Sequence, residues 1–248
     1  MLASEPEGCS LSALAQRLDM PLSATHRVLT ELCQAGYARQ VSEQGLYVLT
    51  VKLVAIGLAF LSGSGVVDIA QPLLDQLAAE AGELVRLAVY DGDDLVFVAK
   101  AQGARRGLRY DPDMGLSVPL SCSAAGHALL STMSDHEALA LVDRQGFGTP
   151  AGHGPRAPTT AKALLPYVRA ARKRGFSMVV EVFAPGMSSM SAPIRRRDGE
   201  VIGVVTIAGP LVRLTEARML ALGPALMFTA AEIGGTSQVS AFFKRRAA

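Results

Sequence analysis

The sequence predicts a mixed α/β (α+β) protein of two unequal domains: a small amino-terminal winged helix-turn-helix, and a larger carboxy-terminal domain whose sheet is flanked by helices. Three observations predict it. Between positions 10 and 36, apolar residues recur at helical spacing in two short blocks separated by a proline-led bend. Two strand-like runs follow around a loop that ends in glycine. Beyond a small-residue stretch at 62–65, strand-like runs come in two groups with helical blocks before, between and after them.

Ser10 can cap a helix in which Leu11, Leu14, Ala15 and Leu18 share one face, while Gln16, Arg17 and Asp19 point away. Pro21 is tolerated in the first turn of a new helix, and from Leu22 the apolar set Val28, Leu29 and Leu32 recurs inward until Gly36, a natural C-terminal stop. Tyr37 to Val41 and Leu46 to Leu49 then flank Ser42-Glu43-Gln44-Gly45 as a hairpin does. Val51 to Leu61 continues as an apolar helix, and Ser62-Gly63-Ser64-Gly65 reads as the linker. The expected organisation is therefore a winged helix-turn-helix domain over 1–50, a linker helix over 51–65 and a second domain over 66–248.

In that second domain Val66 to Ala81 is an amphipathic helix, and Leu84 to Tyr90 and Leu95 to Ala101 are strands around Asp91-Gly92-Asp93-Asp94. Arg105 to Tyr110 reads as a third strand. Ser123 to Met133 and Asp135 to Arg144 read as short helices and Thr160 to Arg174 as a longer one. Phe176 to Phe183, Ser188 to Arg195 and Val201 to Ala208 are further strands, and Thr215 to Ile233 is a closing helix.

The 248 residues carry 24 Lys+Arg against 22 Asp+Glu, a net charge of +2 that excludes a strongly basic coat protein or an acidic disordered tail. Cys9, Cys33 and Cys122 are an odd number without a CxxC, so neither a disulfide framework nor a zinc ribbon is written here, and reduced thiols in a cytoplasm are expected. Val51 to Leu61 is about half the roughly 20 residues that a spanning helix needs, and Lys52 lies inside it. Met1-Leu2-Ala3-Ser4-Glu5 lacks the build of a secretory signal. A cytoplasmic protein with no membrane partner and no cofactor is expected.

A helix-turn-helix reads duplex DNA by laying its second helix in the major groove, with the first turns presented to base edges. The early exposed positions of that helix are Ser23, Thr25, His26 and Arg27, and Arg27 is the candidate for a bidentate contact to guanine or phosphate. The alternative is a surface helix whose polar residues merely face water. Over residues 1–62, Arg17, Arg27, Arg39 and Lys52 oppose Glu5, Glu7, Asp19, Glu31 and Glu43, a net of −1 where DNA-binding domains usually carry a basic footprint. Distribution offsets this if Arg17, His26, Arg27 and Arg39 line the DNA side and at least a dimer spreads the contacts over two half-sites. Arg196, Arg197 and Lys244-Arg245-Arg246 read as solvated charge.

The chain resembles the IclR-type family of bacterial transcription regulators over nearly its whole length. The resemblance is carried by Leu11-Ser12-Ala13-Leu14-Ala15 through Pro21-Leu22-Ser23-Ala24-Thr25-His26-Arg27-Val28-Leu29, by the wing ending Gly45-Leu46-Tyr47-Val48-Leu49, and by Pro119-Leu120-Ser121-Cys122-Ser123-Ala124-Ala125-Gly126-His127. Its most specific part is Gly175-Phe176-Ser177 with Glu181, Gly186, Ser191-Ala192-Pro193-Ile194 and Val204-Val205-Thr206-Ile207-Ala208-Gly209-Pro210. It implies a winged helix-turn-helix, a linker helix used in dimerisation, and a GAF-like effector domain that binds small metabolites, often organic acids. It also implies double-stranded operator DNA as partner and a homodimer or tetramer. Such regulators have a further helix ahead of the region that begins here at Leu2, so the first domain is expected to lack that helix or the native chain to start upstream.

A small carboxylate is held by backbone N–H groups at a helix start together with a few hydroxyls. Ser121-Cys122-Ser123-Ala124-Ala125-Gly126 suits that role, with Ser123 either capping the helix or contacting the ligand; a plain capped helix is the alternative. The resemblance implies an effector site at Ala124, Ala125, Val179, Ser189, Thr206 and Ala208. The position of Val179 often bears a polar side chain in relatives that hold small keto acids, so an aromatic or branched acid is expected here. Ser189 and Thr206 would donate from their hydroxyls, and Met114, Met133, Met178 or Met187 would supply an adaptable apolar wall. The bland alternative is that these residues only fill the inner face of the sheet.

Glu181, amid Val179, Val180, Val182 and Phe183, is expected on the strand face opposite Val180 and Val182, in an ion pair with an arginine. His127 and His153 could join Cys122 at a metal, although a spacing of five is no recognised ligand pair. The rival class is an enzyme with Cys122 as nucleophile and His127 as base, which would need an orienting partner that does not stand out. A third reading makes the second domain a dimerisation module without a ligand. The residues favour a DNA-binding regulator, not an enzyme, and the resemblance implies a repressor or dual regulator of a catabolic operon under the control of a small acid.

Overall fold

The computed structural model describes residues 1–41, 45–64, 66–92, 94–112, 115, 117–149 and 152–236. They belong to two units, Met1–Gly63 and Ser64–Ala248.

In the first unit, α1 (Leu11–Leu18) begins where the Ser10 hydroxyl accepts the Ala13 N–H at 3.2 Å, and it ends at Asp19 in the left-handed conformation. Pro21 leads into α2 (Leu22–Gln34), and Gly36, with φ +75°, turns the chain into β1 (Ala38–Val41). β1 pairs antiparallel with β2 (Leu46–Leu49), from Ala38 opposite Leu49 to Val41 opposite Leu46. Ser42, Glu43 and Gln44 of the expected loop lie outside the described residues. Cys9, Leu14, Leu29 and Tyr47 form the core.

Two expectations for this unit need correction. Val28 is exposed rather than inward, and with Leu18, Leu32 and Leu53 it lines an open apolar groove. The apolar helix also does not stop at Leu61: α3 (Val51–Ser64) runs through Ser62, Gly63 and Ser64 of the small-residue stretch read as the linker, inside the 51–65 given to the linker helix. A glycine costs an existing helix only about 1 kcal/mol relative to alanine, too little to end one already propagating. Gly65 lies outside the described residues.

The second unit is built on a five-stranded antiparallel sheet of order β4-β3-β7-β6-β5. The strands are β3 (Leu84–Tyr90), β4 (Leu95–Gln102), β5 (Ser177–Val180), β6 (Met187–Arg195) and β7 (Val201–Pro210). One face is covered by α4 (Val66–Ala81) and by α8 (Glu216–Thr236), over Leu74, Leu77, Leu87, Met190, Ile207 and Leu226. The other carries α5 (Ala124–Leu130), α6 (Asp135–Gln145) and α7 (Ala161–Arg174), over Leu120, Leu129, Val142, Leu164 and Val204. By length and composition α8 could cross a membrane, but Met219, Leu222, Leu226, Ala230 and Ile233 are buried within this unit.

Arg105 to Tyr110 is not a strand. It lies in a loop after β4, which is the edge of the sheet, and among the described residues it pairs with no strand. Arg196 is not solvated either: its side chain is largely buried and donates to Glu200.

Candidate functional site

Strand register collects one set of side chains on the α5 face of the sheet. Arg86 of β3 pairs with Thr206 of β7, and Thr206 pairs with Ser191 of β6. Two residues further along, Ala208 pairs with Ser189, and Ser189 with Val179 of β5. Because side chains alternate along a strand, directly paired residues share a face. The start of α5 comes down on them and leaves a cavity of about 160 Å³. Ser123, Ala124, Ala125, Val179, Ser189, Thr206 and Ala208 all line it, together with Arg86, Phe97, Tyr110, Pro112, Phe183 and Met187. Gly126 lets the turn before α5 fold back tightly on the helix, since a Cβ there would fall 2.2 Å from the Leu120 carbonyl oxygen.

The hydroxyls do not play the parts expected of them. Ser123 donates to the Pro119 carbonyl at 2.7 Å and accepts the Gly126 N–H at 2.9 Å, so it caps α5 and ties down the preceding turn. Ser191 donates to the Val205 carbonyl, so its 2.8 Å contact with Thr206 is a bond donated by Thr206. Thr206 therefore turns lone pairs rather than its proton toward the cavity. Ser189 remains as a half-buried hydroxyl on the β6 wall. Met187 is the methionine on the cavity wall; Met178 packs on the opposite face of the sheet, Met133 packs in the cluster beneath α5 to α7, and Met114 lies outside the described residues.

Sequence reading missed Arg86. It is 6% exposed, and its guanidinium carbon lies 3.4 Å from the centroid of the Phe97 ring. Burial pulls its pKa down to about 10, against the opposing pull of Tyr110 and Asp111, so it stays cationic near neutrality. The same burial pushes the Tyr110 phenol up. The available signal was a lone charge within the otherwise apolar run Leu84 to Tyr90.

The remaining candidates resolve otherwise. His127 is fully buried, and because a carbonyl can only accept, its Nε2–H donates to Ser121 O at 2.7 Å. Cys122, also buried, contacts the Ser121 hydroxyl at 3.3 Å and the Pro158 carbonyl at 3.9 Å rather than His127, so a thiol with an adjacent base is not assembled. His153 is held by the Thr149 carbonyl, and no group of three metal-ligating side chains is present among the described residues. Glu181 leaves the strand, with φ +54°, and its carboxylate accepts the Gly186 N–H at 3.0 Å instead of pairing with an arginine.

In the first unit, Ser23, His26 and Arg27 are exposed on the first turns of α2, and Arg39 is exposed on β1. Thr25 is not with them. It is 1% exposed, donates its hydroxyl to Pro21 O at 3.1 Å and faces into the unit, because it falls one turn before the buried Leu29. Arg17 is exposed, but its charge is engaged by Glu5 at 2.5 Å, so it adds less to the basic side than expected.

Residues 1–42 match the family model described as the IclR helix-turn-helix domain, and residues 58–234 that of the bacterial transcriptional regulator IclR C-terminal domain. The chain is 30% identical over 246 residues to the acetate operon repressor of Salmonella typhimurium, covering 95% of this chain and 86% of that protein. It is 30% identical over 234 residues to the transcriptional repressor IclR of Escherichia coli, covering 94% and 84%. Both relatives are repressors, not enzymes. An IclR homolog from Microbacterium hydrocarbonoxydans, solved in complex with 4-hydroxybenzoate, shares the fold with a TM-score of 0.73 and 20% identity, covering 94% of this chain and 92% of that one.

Proposed function

The chain belongs to the IclR family of bacterial transcriptional regulators, and from that membership we propose that this DNA-binding regulator is a homo-oligomeric repressor whose grip on operator DNA changes when a small aromatic or branched organic acid occupies the cavity between α5 and the sheet. The carrying observation is that seven residues named for an effector site, drawn from α5, β5, β6, β7 and the turn before α5, line one cavity. The 4-hydroxybenzoate bound by one protein of the same fold supports an aromatic acid. The repressor relatives support repression as the sign of control.

Exposed Ser23, His26 and Arg27 are the side chains of α2 that would meet base edges, with Arg39 at the wing reaching phosphate. Oligomerisation is supported by α3, on which Val51, Leu53, Val54, Ile56 and Leu58 are all exposed. A helix apolar on every side calls for a partner surface. A ligand shifts regulation only if it binds the DNA-competent and incompetent arrangements unequally, and α3, which follows the wing, is the element to transmit that difference.

Fluorescence anisotropy with the promoter DNA beside the protein's own gene tests this. Titration at fixed salt should show binding that a panel of aromatic and branched monocarboxylates alters. Binding to that DNA with an affinity indifferent to every acid rejects the effector reading, and absence of any sequence-specific binding rejects the repressor reading.

A further inference from the structure

We propose that Thr206 meets the cavity only as a hydrogen-bond acceptor, and that the site therefore selects acids whose ring carries an O–H or N–H donor. The inference rests on the cavity being the effector site, and it names the chemical feature by which that site tells one acid from another.

A hydroxyl has one proton to give and two lone pairs with which to receive. Ser191 gives its proton to the Val205 carbonyl at 2.8 Å, an oxygen that can only accept. Ser191 Oγ is thus the acceptor in its 2.8 Å contact with Thr206, whose own proton is spent there. Both side chains are buried, Ser191 at 0% and Thr206 at 4% exposure. Threonine branches at Cβ and is stiff about χ1, which hinders its hydroxyl from swinging round to donate elsewhere. The direction of both protons is therefore set from within the sheet, by β6 and β7.

A ligand O–H or N–H placed against Thr206 satisfies a buried acceptor, whereas an ether oxygen or a fluorine brings only lone pairs to lone pairs and gains nothing. The serines at the wall do not discriminate in this way. Ser123 is committed to the Pro119 carbonyl and the Gly126 N–H. Ser189 is half-buried, and among the described residues no bond fixes its proton, so it turns to give or to receive as a ligand requires. Size suggests the probes. An apolar cavity of about 150 Å³ holds one benzene ring, and this one measures about 160 Å³.

The test is calorimetric titration of the full chain with the ortho, meta and para hydroxybenzoates. Each is set beside the fluorobenzoate of the same substitution, close to it in size but with no ring proton to give, and the methoxybenzoate, whose ring oxygen only accepts. At one ring position or more, wild type should bind the hydroxy acid roughly fivefold or more tightly than the fluoro acid, as expected of one hydrogen bond. Thr206→Val should erase that margin, and Thr206→Ser should keep it. Ser191→Ala removes the acceptor of the Thr206 proton and frees it to turn toward the cavity. At that ring position the methoxy acid should then gain on the fluoro acid by roughly threefold or more relative to wild type, a change of preference that looser packing alone does not produce. A margin that survives in a folded Thr206→Val variant, or wild type that binds hydroxy and fluoro acids alike, overturns the proposal while leaving the cavity reading standing. Unchanged preferences in Ser191→Ala overturn the fixed direction of the protons, and that comparison decides if Thr206→Val fails to fold. Ala208→Leu, which fills part of the cavity, separates the two readings: undiminished binding there, or wild type that binds none of these acids, overturns the cavity reading itself.

Discussion

Arg213 reaches across 130 residues of sequence to clasp Glu83, its Nε donating to Oε1 at 2.6 Å and its Nη2 to Oε2 at 2.9 Å. Nη2 donates also to the Leu108 carbonyl at 2.8 Å, so the pair ties the loop that carries Tyr110 to the start of β3. Glu83 is 3% exposed, and Gly209 leaves room for it, since a Cβ there would fall 2.5 Å from its carboxylate. Arg213→Ala should therefore strand a buried carboxylate. The expected loss is about 2 to 3 kcal/mol, less than for a fully buried pair because Arg213 is partly exposed. Urea unfolding measures it, and a loss below about 0.5 kcal/mol would show the clasp to be ornamental.

Arg27→Ala should weaken operator binding by about 1 to 3 kcal/mol if the guanidinium reads a base, with relaxed discrimination at one position. Thr25→Val should act through stability instead, because its hydroxyl is spent on Pro21 O inside the unit. Anisotropy titrations at one salt concentration distinguish them; an unchanged affinity for the Arg27 variant removes that residue from the reading surface.

Thr206→Val should raise the acid concentration needed for half-maximal response roughly fivefold, the cost of about one hydrogen bond of 1 kcal/mol. The dose curve of DNA release is the readout. An unmoved midpoint means that Thr206 does not touch the ligand.

Stability should fall in mild acid through His127. Burial holds its pKa down to about 4, whereas in the unfolded chain it returns to about 6.5. Between those values the unfolded state binds the extra proton. The contribution is thus complete above about pH 6.5 and is lost as the pH drops toward 4, at up to about 1.4 kcal/mol per unit. Denaturant melts from pH 7.5 to 4.5 should show this slope in wild type and a shallower one in His127→Gln; equal slopes would assign acid sensitivity to other groups.

Local chemistry was readable from the residues. Ser10 and Ser123 cap helices because a hydroxyl just ahead of an apolar helical block has orphan N–H groups to accept, and Gly36 turns the chain where a left-handed residue is needed. Misreadings came where packing decides what a residue meets. Arg105 to Tyr110 alternates like a strand, but a strand exists only if a neighbour offers a ladder. Thr25 has a polar side chain on a polar-looking turn, yet the helical phase set by Leu29 carries it inward.

By itself the sequence determined the helix-turn-helix, the hairpin, the order of strands and helices apart from the strand expected at Arg105 to Tyr110, and the family, because periodicity, caps and turn residues act over a few positions. The tertiary structure alone decided that Arg86, Thr206, Ser189 and Val179 face one cavity, and that Arg86 is buried there against Phe97. The reason is register: which side chains meet across a sheet depends on how the strands pair, β3 with β7 across more than a hundred residues of sequence, and a shift of one residue would turn a whole strand to the opposite face.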